Sequence, residues 1–396
     1  MSIVHICNDE KFIDTAMELF DAAHDSGDYL VVLGIENADQ LVNIRRARVG
    51  ECLLLVRGEE KEFWGRFKEY QGVVFHSLNS DFIELAREAP QGLRLAWLSF
   101  GFDLHEAYPP LAISLLARHT AGIKRSMSLA TRMRAYWTPL TAILCQLGVR
   151  RTARTRDYLS AVSRMDCCAT VLPNEWNEIR SLPGFRAVLL RFNYGWVESL
   201  VPNPEKNNSQ QGGNILVGNS NAMTCNHVDA FYKISSMLQP TTKVIVPLSY
   251  GGERVYSDRY QEIIMRKGRK ILGDAFMPLT EFVPKERYME IMSSCGTVVM
   301  NHHRQQALGN IIAAVYLGAN VFINPRNPAL EFLLGIGVKV QPFGSDFADR
   351  ASQLQGVDNA TLEQNRGCLR QEYSWEKGVG RAAGIVEFLE QGTENS

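Results

Sequence analysis

The chain has 396 residues, of which 45% are hydrophobic and 21% are charged, and its formal net charge at pH 7 is −1. Because single hydrophobic cores stop growing near roughly 250 to 300 residues, this length predicts two domains. The hydrophobic fraction excludes a largely disordered chain, and the balanced charge excludes an overall field that would attract nucleic acid or acidic lipid. Any electrostatic targeting must therefore come from a local segment.

Cysteine usage and hydropathy indicate the compartment. The eight cysteines lie mostly inside apolar runs and form no C-x-x-C pair, which is typical of reduced, buried thiols in the cytosol. The apolar run Ser2–Cys7 has no basic region or cleavage site beside it, so it predicts a first strand rather than a signal peptide. Nowhere are eighteen consecutive residues apolar. We expect a cytoplasmic protein that meets a membrane only at its surface.

In the first half of the chain, short β-branched runs alternate with amphipathic stretches. Parallel strands need crossover connections, which helices supply, so this rhythm predicts a mostly parallel, doubly wound α/β sheet. The predicted strands are Ile3–Cys7, Tyr29–Leu33, Cys52–Val56, Gly72–His76 and Leu93–Leu98, followed by Ala169–Leu172 and Ala187–Arg191. The predicted helices include Phe12–His24, Glu59–Glu69 and Asp81–Glu88.

Residues 107–156 interrupt this rhythm and contain no acidic residue. Basic side chains beside the aromatic Tyr136 and Trp137 suit an anionic membrane surface or a pyrophosphate. The alternative is a solvated helical insertion whose arginines pair with acidic groups elsewhere in the fold. We predict that the membrane or the acceptor contacts Arg125, Arg132, Arg134, Arg150 and Arg151.

The Pro-, Asn- and Gly-rich stretch Val201–Gly213 predicts the domain boundary, because such residues continue neither a helix nor a central strand. A second β-α alternation follows it. Two Rossmann-like, doubly wound parallel sheets joined by one linker are the GT-B architecture, in which the domains face each other across a cleft and a terminal helix crosses back. We predict domains at 1–205, with a basic helical insertion at about 107–165, and at 206–374, then a helix and tail at 375–396.

In open parallel sheets, ligands bind outside the carboxyl ends of the strands, which directs attention to two loops. Gly218, Asn219 and Ser220 follow the predicted strand Asn214–Val217, and their small size lets backbone amides approach a phosphate. A plain turn is the alternative. The loop 301–310 precedes a helix and is unusually polar: Arg304 and the helix amides suit a diphosphate leaving group, assisted by Gln305, Gln306, Gly309 and Asn310. A surface role is the alternative for Arg304.

Two further residues complete the predicted donor site. Tyr250, in the loop after the strand Lys243–Pro247, is suited to stack on a nucleobase, or only to fill its loop. Glu331, on the first turn of the predicted helix Pro328–Leu334, which follows the loop Asn324–Pro328, is suited to ribose hydroxyls, or simply complements the helix dipole. The pair His302-His303 has no third metal ligand at a suitable spacing, and no D-x-D motif occurs. We therefore predict no metal and no cofactor.

Two strand ends of the N-terminal domain carry candidate bases. His76 and Asp103 follow successive strands, and either side chain can take a proton from a hydroxyl when it is desolvated or paired. A structural role is the alternative for each.

Several of these segments also resemble the sequences of a known protein family. The stretches Leu216–Ser220, Val246–Tyr250, Arg304–Gly309 and Leu317–Pro328 resemble the TDP-N-acetylfucosamine:lipid II N-acetylfucosaminyltransferase family, glycosyltransferase family 56. In the N-terminal domain the resemblance is limited to Val74–His76 and Trp97–Leu104, and the basic insertion and Gly309-Asn310 depart from the family pattern. The resemblance implies a TDP-sugar donor bound by the C-terminal domain and an undecaprenyl-diphosphate-linked saccharide as acceptor. The sugar would be 4-acetamido-4,6-dideoxygalactose, transferred at the inner face of the cytoplasmic membrane.

Other kinds of protein are alternatives to this expectation. A nucleotide-sugar epimerase or dehydrogenase needs a G-x-G-x-x-G fingerprint near the first strand, and Ile6–Lys11 has none. A different nucleotide sugar and acceptor, or a non-catalytic sugar-binding or assembly protein on the same fold, stays open.

Overall fold

A computed structural model describes residues 3–24, 29–33, 40–45, 52–55, 63–65, 70–112, 115–127, 152–251, 257–350 and 354–391. The chain divides into two compact units. The first comprises Met1–Ala112, Thr141–Trp196 and Tyr373–Ser396, and the second comprises Ile113–Leu140 and Val197–Glu372. The sequence predicts a boundary after residue 205, whereas the longer segment of the second unit starts at Val197.

The first unit is built on a wholly parallel sheet. Its strands are β1 (Ile3–Cys7), β2 (Tyr29–Leu33), β3 (Cys52–Leu55), β4 (Gly72–Phe75), β5 (Arg94–Ser99), β6 (Cys167–Thr170) and β7 (Val188–Arg191). They lie in the order β3-β2-β1-β4-β5-β6-β7. The chain reverses its direction of progress across the sheet between β1 and β4, which is the switch point where doubly wound sheets bind ligands.

Helices cover this sheet. They are α1 (Ile13–Ala23), α2 (Ile83–Glu88), α3 (Phe102–Ala107), α4 (Pro109–Ala112), α6 (Ala153–Val162), α7 (Trp176–Arg180) and the terminal α16 (Trp375–Glu390). On one face, Leu19 of α1 and Ile385 of α16 share a buried cluster with Val74 of β4. Gly378 lets α16 approach closely, because a Cβ there would lie 2.9 Å from Leu19 Cδ2. The predicted terminal helix therefore belongs to the first unit.

The second unit repeats this plan. Its strands are β8 (Asn214–Val217), β9 (Val244–Pro247), β10 (Phe276–Leu279), β11 (Cys295–Met300), β12 (Asn320–Ile323) and β13 (Gln341–Pro342), in the parallel order β10-β9-β8-β11-β12-β13. Its helices are α8 (Val197–Leu200), α9 (His227–Ile234), α10 (Ser257–Leu272), α11 (Lys285–Ser293), α12 (Leu308–Tyr316), α13 (Pro328–Gly335), α14 (Phe347–Arg350) and α15 (Asn359–Glu372). The switch point here lies between β8 and β11.

One helix of the second unit comes from the first half of the sequence. Helix α5 (Arg118–Met127) packs Ile123 and Met127 into the core of the second unit. The Asp229 carboxylate on α9 accepts hydrogen bonds from the main-chain amides of His119 and Thr120, at 2.8 and 2.9 Å. The sequence had placed this segment in an insertion of the first domain, but burial and capping fix it to the second.

Most predicted elements recur within a few residues. The predicted strand Ala169–Leu172 begins two residues earlier, as β6, and the predicted helix Phe12–His24 is one residue shorter at each end, as α1. Of the predicted helix Glu59–Glu69, only residues 63–65 are described, and these are helical. No helix in the described part of the chain is long and apolar enough to cross a membrane.

Candidate functional site

The loops after β8 and β11 meet at the switch point of the second sheet. Gly218 begins the first loop with a φ of 69°, and its amide donates to the Val299 carbonyl of β11 at 3.0 Å. A Cβ at this position would lie 3.0 Å from His227 Nε2, so a glycine is needed both for the left-handed backbone and for the close approach. The predicted phosphate-binding turn is thus held against the neighbouring strand.

Asn219 joins the two loops through its side-chain amide. Its Oδ1 accepts hydrogen bonds from the Nε2 atoms of His302 and Gln306, each at 3.1 Å. Its Nδ2 donates to the Tyr250 hydroxyl at 3.3 Å. The structure therefore brings together Asn219, Tyr250 and Gln306, which the sequence had predicted, and adds His302, which it had set aside.

A second layer of contacts supports this loop pair. The Cys225 thiol lies 3.3 Å from His302 Nε2 and donates to the Ser220 carbonyl at 3.3 Å. Burial raises the pKa of Cys225, so the thiol stays protonated and acts as a packing and hydrogen-bonding group. The Thr224 hydroxyl donates to Gln306 Oε1 at 2.7 Å, which fixes the orientation of that amide.

Arg304 lies between this network and α12. Its Nη1 donates to the adjoining Gln305 carbonyl at 2.7 Å, and its side chain is partly buried. Ala307 then takes a left-handed conformation, with a φ of 61°, immediately before α12 begins. Gly309 lies on the first turn, where a Cβ would be 3.3 Å from Leu200 Cδ2, and partly buried Asn310 follows it. Arg304 thus precedes α12 by four residues in the chain, and the main-chain amides at the start of a helix are available to an anion.

The two buried histidines of this site are uncharged. Burial lowers the pKa of His227 to about 3, and burial together with Arg304 holds the pKa of His302 well below its usual range. Because Asn219 Oδ1 is an acceptor, His302 carries its proton on Nε2, and its Nδ1 is a buried acceptor without a hydrogen-bond partner in the described structure. Positive charge at this site is therefore carried by Arg304.

Other predicted donor-site residues lie farther out. Tyr250 is 45% exposed, so part of this residue is accessible to a ligand. Glu331 is exposed on the first turn of α13. In the preceding loop, Arg326 Nη1 lies 3.4 Å from His303 Nδ1. Among the described residues, no group of three or more His, Cys, Asp or Glu side chains could hold a metal ion. The expectation of a metal-independent reaction stays a prediction.

In the first unit, His76 follows β4 and lies between two side chains that the sequence analysis had not singled out. Its Nε2 is 3.1 Å from His5 Nδ1, and its Nδ1 is 3.3 Å from the Tyr194 hydroxyl. Desolvation by burial, reinforced by His5, lowers the pKa of His76 well below its usual value. The imidazole is therefore neutral and able to accept a proton, as a general base must be.

Asp103 lies on the first turn of α3 with its carboxylate directed inward. Oδ2 accepts hydrogen bonds from the Leu78 amide at 2.8 Å and from Trp97 Nε1 at 2.7 Å. The side chain is 1% exposed, and this burial raises the pKa of Asp103. This geometry fixes the loop that carries His76, so it supports a positioning role for Asp103 better than direct contact with substrate.

The basic residues predicted to meet a membrane or the acceptor are only partly within the described structure. Arg125 is exposed on α5 of the second unit. Arg132, Arg134, Arg150 and Arg151 lie outside the described residues.

Comparison with known proteins supports the predicted class. The model of the family described as 4-alpha-L-fucosyltransferase, glycosyl transferase group 56, matches residues 179–355, which confirms the resemblance over that range. Similar solved structures include a UDP-forming α,α-trehalose-phosphate synthase from Burkholderia xenovorans, with a TM-score of 0.65 at 9% identity, covering 99% of this chain and 100% of that one. Anabaena Alr3699/HepE in complex with UDP-glucose has a TM-score of 0.62 at 11% identity and coverages of 98% and 99%. Sucrose-phosphate synthase from Thermosynechococcus elongatus has a TM-score of 0.60 at 12% identity, with full coverage of both chains. These likenesses show the fold, which is the predicted GT-B fold.

Proposed function

Because the chain is a GT-B glycosyltransferase whose residues 179–355 match group 56, we propose that it transfers an acetamido-dideoxy sugar of the Fuc4NAc type. The donor is a TDP-sugar, and the acceptor is an undecaprenyl-diphosphate-linked saccharide in bacterial surface polysaccharide assembly. The observation that carries this proposal is the hydrogen-bonded pair of loops centred on Asn219, at the switch point of the second sheet. Open α/β sheets bind nucleotides at this position.

The donor diphosphate binds to Arg304 and to main-chain amides of the two loops. As the bond between the anomeric carbon and the β-phosphate oxygen breaks, negative charge grows on the diphosphate, and a guanidinium stabilises it without a metal ion. Neutral His302 and His227 add no charge here. The exposed Tyr250 stacks on the thymine ring.

The acceptor reacts through one of its hydroxyl groups, which attacks the anomeric carbon as its proton passes to a base. Neutral, buried His76 is the proposed base, and Asp103 positions the loop that carries it. Proton removal of this kind contributes roughly 10²- to 10⁴-fold to a rate.

Membrane association is proposed for the basic segment, which would place the protein peripherally at the inner face of the cytoplasmic membrane. In the described part of this segment, α5 exposes Arg118 and Arg125 and contains no acidic residue. Each basic residue near an anionic bilayer contributes about 1 kcal/mol. Binding to vesicles that contain anionic lipid should weaken as salt rises, and binding that is absent or independent of salt would contradict this role.

A different nucleotide sugar and acceptor is the main alternative. The Anabaena structure is described as a complex with UDP-glucose, which supports a pyrimidine nucleotide sugar here without choosing the base or the sugar. Competition calorimetry with TDP, UDP and GDP separates these alternatives, because only the proposed donor predicts tightest binding of TDP. A non-catalytic binding protein would bind the nucleotide but form no glycosidic product.

The decisive experiment measures TDP affinity and sugar transfer in the Arg304→Ala variant. Charge-assisted hydrogen bonds are worth about 1.5 to 3 kcal/mol, so TDP affinity should fall roughly 10- to 100-fold and transfer should fall with it. Arg269→Ala is the matched control, because Arg269 is an exposed arginine on α10 of the same unit. Unchanged TDP affinity in the Arg304 variant would reject the donor site. Loss of transfer on chelation of divalent ions would reject its metal independence.

A further inference from the structure

Both ring nitrogens of His76 are occupied by protein groups, which limits how it can act as a base. Nε2 faces His5 at 3.1 Å, and Nδ1 faces the Tyr194 hydroxyl at 3.3 Å. His5 is fully buried, whereas 9% of Tyr194 is exposed. His76 itself is 3% exposed, so Tyr194 is the most exposed group of this hydrogen-bonded chain and the route by which we expect a proton to reach His76. We infer that Tyr194 is a catalytic residue that contacts the acceptor hydroxyl and relays its proton to His76, an inference that rests on the proposed function.

Of the two proton orders that these contacts permit, one serves a relay, in which Tyr194 donates to His76 and His76 donates to His5. For Nδ1 of His76 to accept from Tyr194, its Nε2 must carry a proton, which it donates to His5 Nδ1. His5 therefore positions His76 by fixing its tautomer. When the acceptor oxygen bonds to the anomeric carbon, its proton moves to the Tyr194 oxygen and the Tyr194 proton moves to His76 Nδ1. Tyr194 ends unchanged, His76 becomes a cation, and the diphosphate leaves with the electron pair of the broken bond.

The surroundings of Tyr194 suit a neutral relay. Burial, together with Asp103 and Cys7, raises the pKa of Tyr194 well above its usual value, so the phenol keeps the proton that it must pass on. Its ring stacks on Phe100 at 4.2 Å and meets Phe192 edge-on at 4.9 Å between centroids. These rings hold the hydroxyl toward His76 without competing for its hydrogen bond.

Position along the sheet also sets Tyr194 apart from an ordinary core tyrosine. It follows β7, the edge strand of the first sheet, yet its hydroxyl reaches the residue that follows β4, three strands away in the sheet order. Residues 192–194 therefore fold back over the strand ends toward the switch point of this sheet, where doubly wound folds place their ligands. A ring that only filled the core would not need to bring its hydroxyl to this imidazole.

The test compares Tyr194→Phe with Tyr158→Phe in the full-length enzyme, using the TDP-sugar and the lipid-linked acceptor. Tyr158 is the matched control, because it is fully buried in the same unit and its hydroxyl has no hydrogen-bond partner among the described residues. Loss of the relay should lower kcat about 100-fold or more while the KM of the donor stays within about twofold, and the control should keep its kcat. Solvent isotope effects add a readout that a structural role would not move. A plot of rate against deuterium fraction in mixed H2O and D2O should be curved in the wild type, because two protons are transferred. The curvature should be lost in Tyr194→Phe.

The outcomes separate the relay from the proposed function. If His76→Asn abolishes transfer while Tyr194→Phe keeps its kcat, His76 contacts the acceptor directly and the relay is rejected, although the proposed function stands. If the wild type transfers no sugar between these substrates, both are rejected. Should Tyr194→Phe fail to fold, a fluorinated tyrosine at position 194 keeps the ring and hydroxyl but lowers the pKa of the phenol. A change in its kcat of more than about threefold supports the relay, and an unchanged kcat rejects it.

Discussion

Asn226 and Asn301 exchange hydrogen bonds between side chain and main chain. The Nδ2 of Asn226 donates to the Asn301 carbonyl at 3.0 Å, and the Nδ2 of Asn301 donates to the Asn226 carbonyl at 3.2 Å. Asn324 then donates to Asn301 Oδ1 at 2.7 Å, so the loops after β8, β11 and β12 are tied together. Asn226 Oδ1 also accepts from the Ala117 amide at 2.8 Å, which holds the start of α5 to the same point.

Asn226→Ala should destabilise the protein more than the loss of one hydrogen bond would. Asn226 is fully buried with a φ of 51°, so alanine adds about 1 to 2 kcal/mol of backbone strain. Each buried partner left unsatisfied costs about 1 to 3 kcal/mol more, and we expect a total loss of about 3 to 5 kcal/mol in the free energy of unfolding. Urea denaturation measures this loss in the free energy of unfolding. Asn203→Ala is the control, because Asn203 has a φ of 53° but an exposed side chain. Equal losses in the two variants would show that only the backbone matters.

Gly218→Ala should impair nucleotide binding beyond its cost in stability. The new methyl group would lie 3.0 Å from His227 Nε2 and 3.3 Å from Cys225 Cβ, so the loop must shift. Gly273→Ala, with a φ of 57° and nothing within 4 Å of the added Cβ, imposes the strain without the crowding. Calorimetry with TDP should show at least about a tenfold weaker Kd for Gly218→Ala, because about 1.4 kcal/mol of lost contacts suffices. Similar Kd values for both variants would contradict the role of this loop in donor binding.

Local patterns predicted the sheets and their ligand-binding edges. Alternating strand and helix periods predicted two doubly wound sheets, and the rule that ligands bind at strand ends selected Asn219, Tyr250 and Gln306, which the structure joins. The sheets and the proximity of these loops could be predicted because strand direction and strand order place distant loops together, whereas ligand binding at these residues stays a prediction. The polarity of the loop after β11 was the signal that pointed to Arg304.

Residues that depend on long-range packing could not be predicted in this way. His5 lies in the middle of β1 and has the sequence pattern of a core position, and Tyr194 is 118 positions from the His76 that it contacts. Helix α5 joins the second unit because Asp229 caps it and its apolar face fits that core. The sequence contains both partners in each case, but nothing in its local periodicity pairs them.

Asp103→Ala should destabilise the first unit strongly and lower activity indirectly. It would leave the Leu78 amide and Trp97 Nε1 without their acceptor, at a cost of about 1 to 3 kcal/mol each. Asp157→Ala is the control, because its ion pair with Arg87 is 3.0 Å long but lies between half-exposed side chains and is worth about 0 to 1 kcal/mol. Asp103→Asn keeps an acceptor oxygen and should retain more stability than the alanine variant. If Asp103→Asn folds normally but loses transfer completely, Asp103 is the base rather than a positioning residue.

The neutral histidine at the switch point of the second sheet should make stability depend on pH. Burial lowers the pKa of His227 to about 3 from its usual 6.5, so between these values the unfolded chain binds a proton that the folded chain does not. The stability of the fold is therefore retained above pH 6.5 and lost as the pH falls, by about 1.4 kcal/mol per pH unit for this group.

His227→Gln removes this dependence of stability on pH. It also removes the contact between His227 Nδ1 and the Tyr260 hydroxyl at 3.1 Å, so the variant should be less stable than the wild type at pH 7. The difference in the free energy of unfolding between the variant and the wild type should then be smaller by about 2 kcal/mol at pH 5, as measured by urea denaturation. A difference in the free energy of unfolding between wild type and His227→Gln that stays constant from pH 7 to pH 5 would mean that the folded and unfolded chains bind this proton equally.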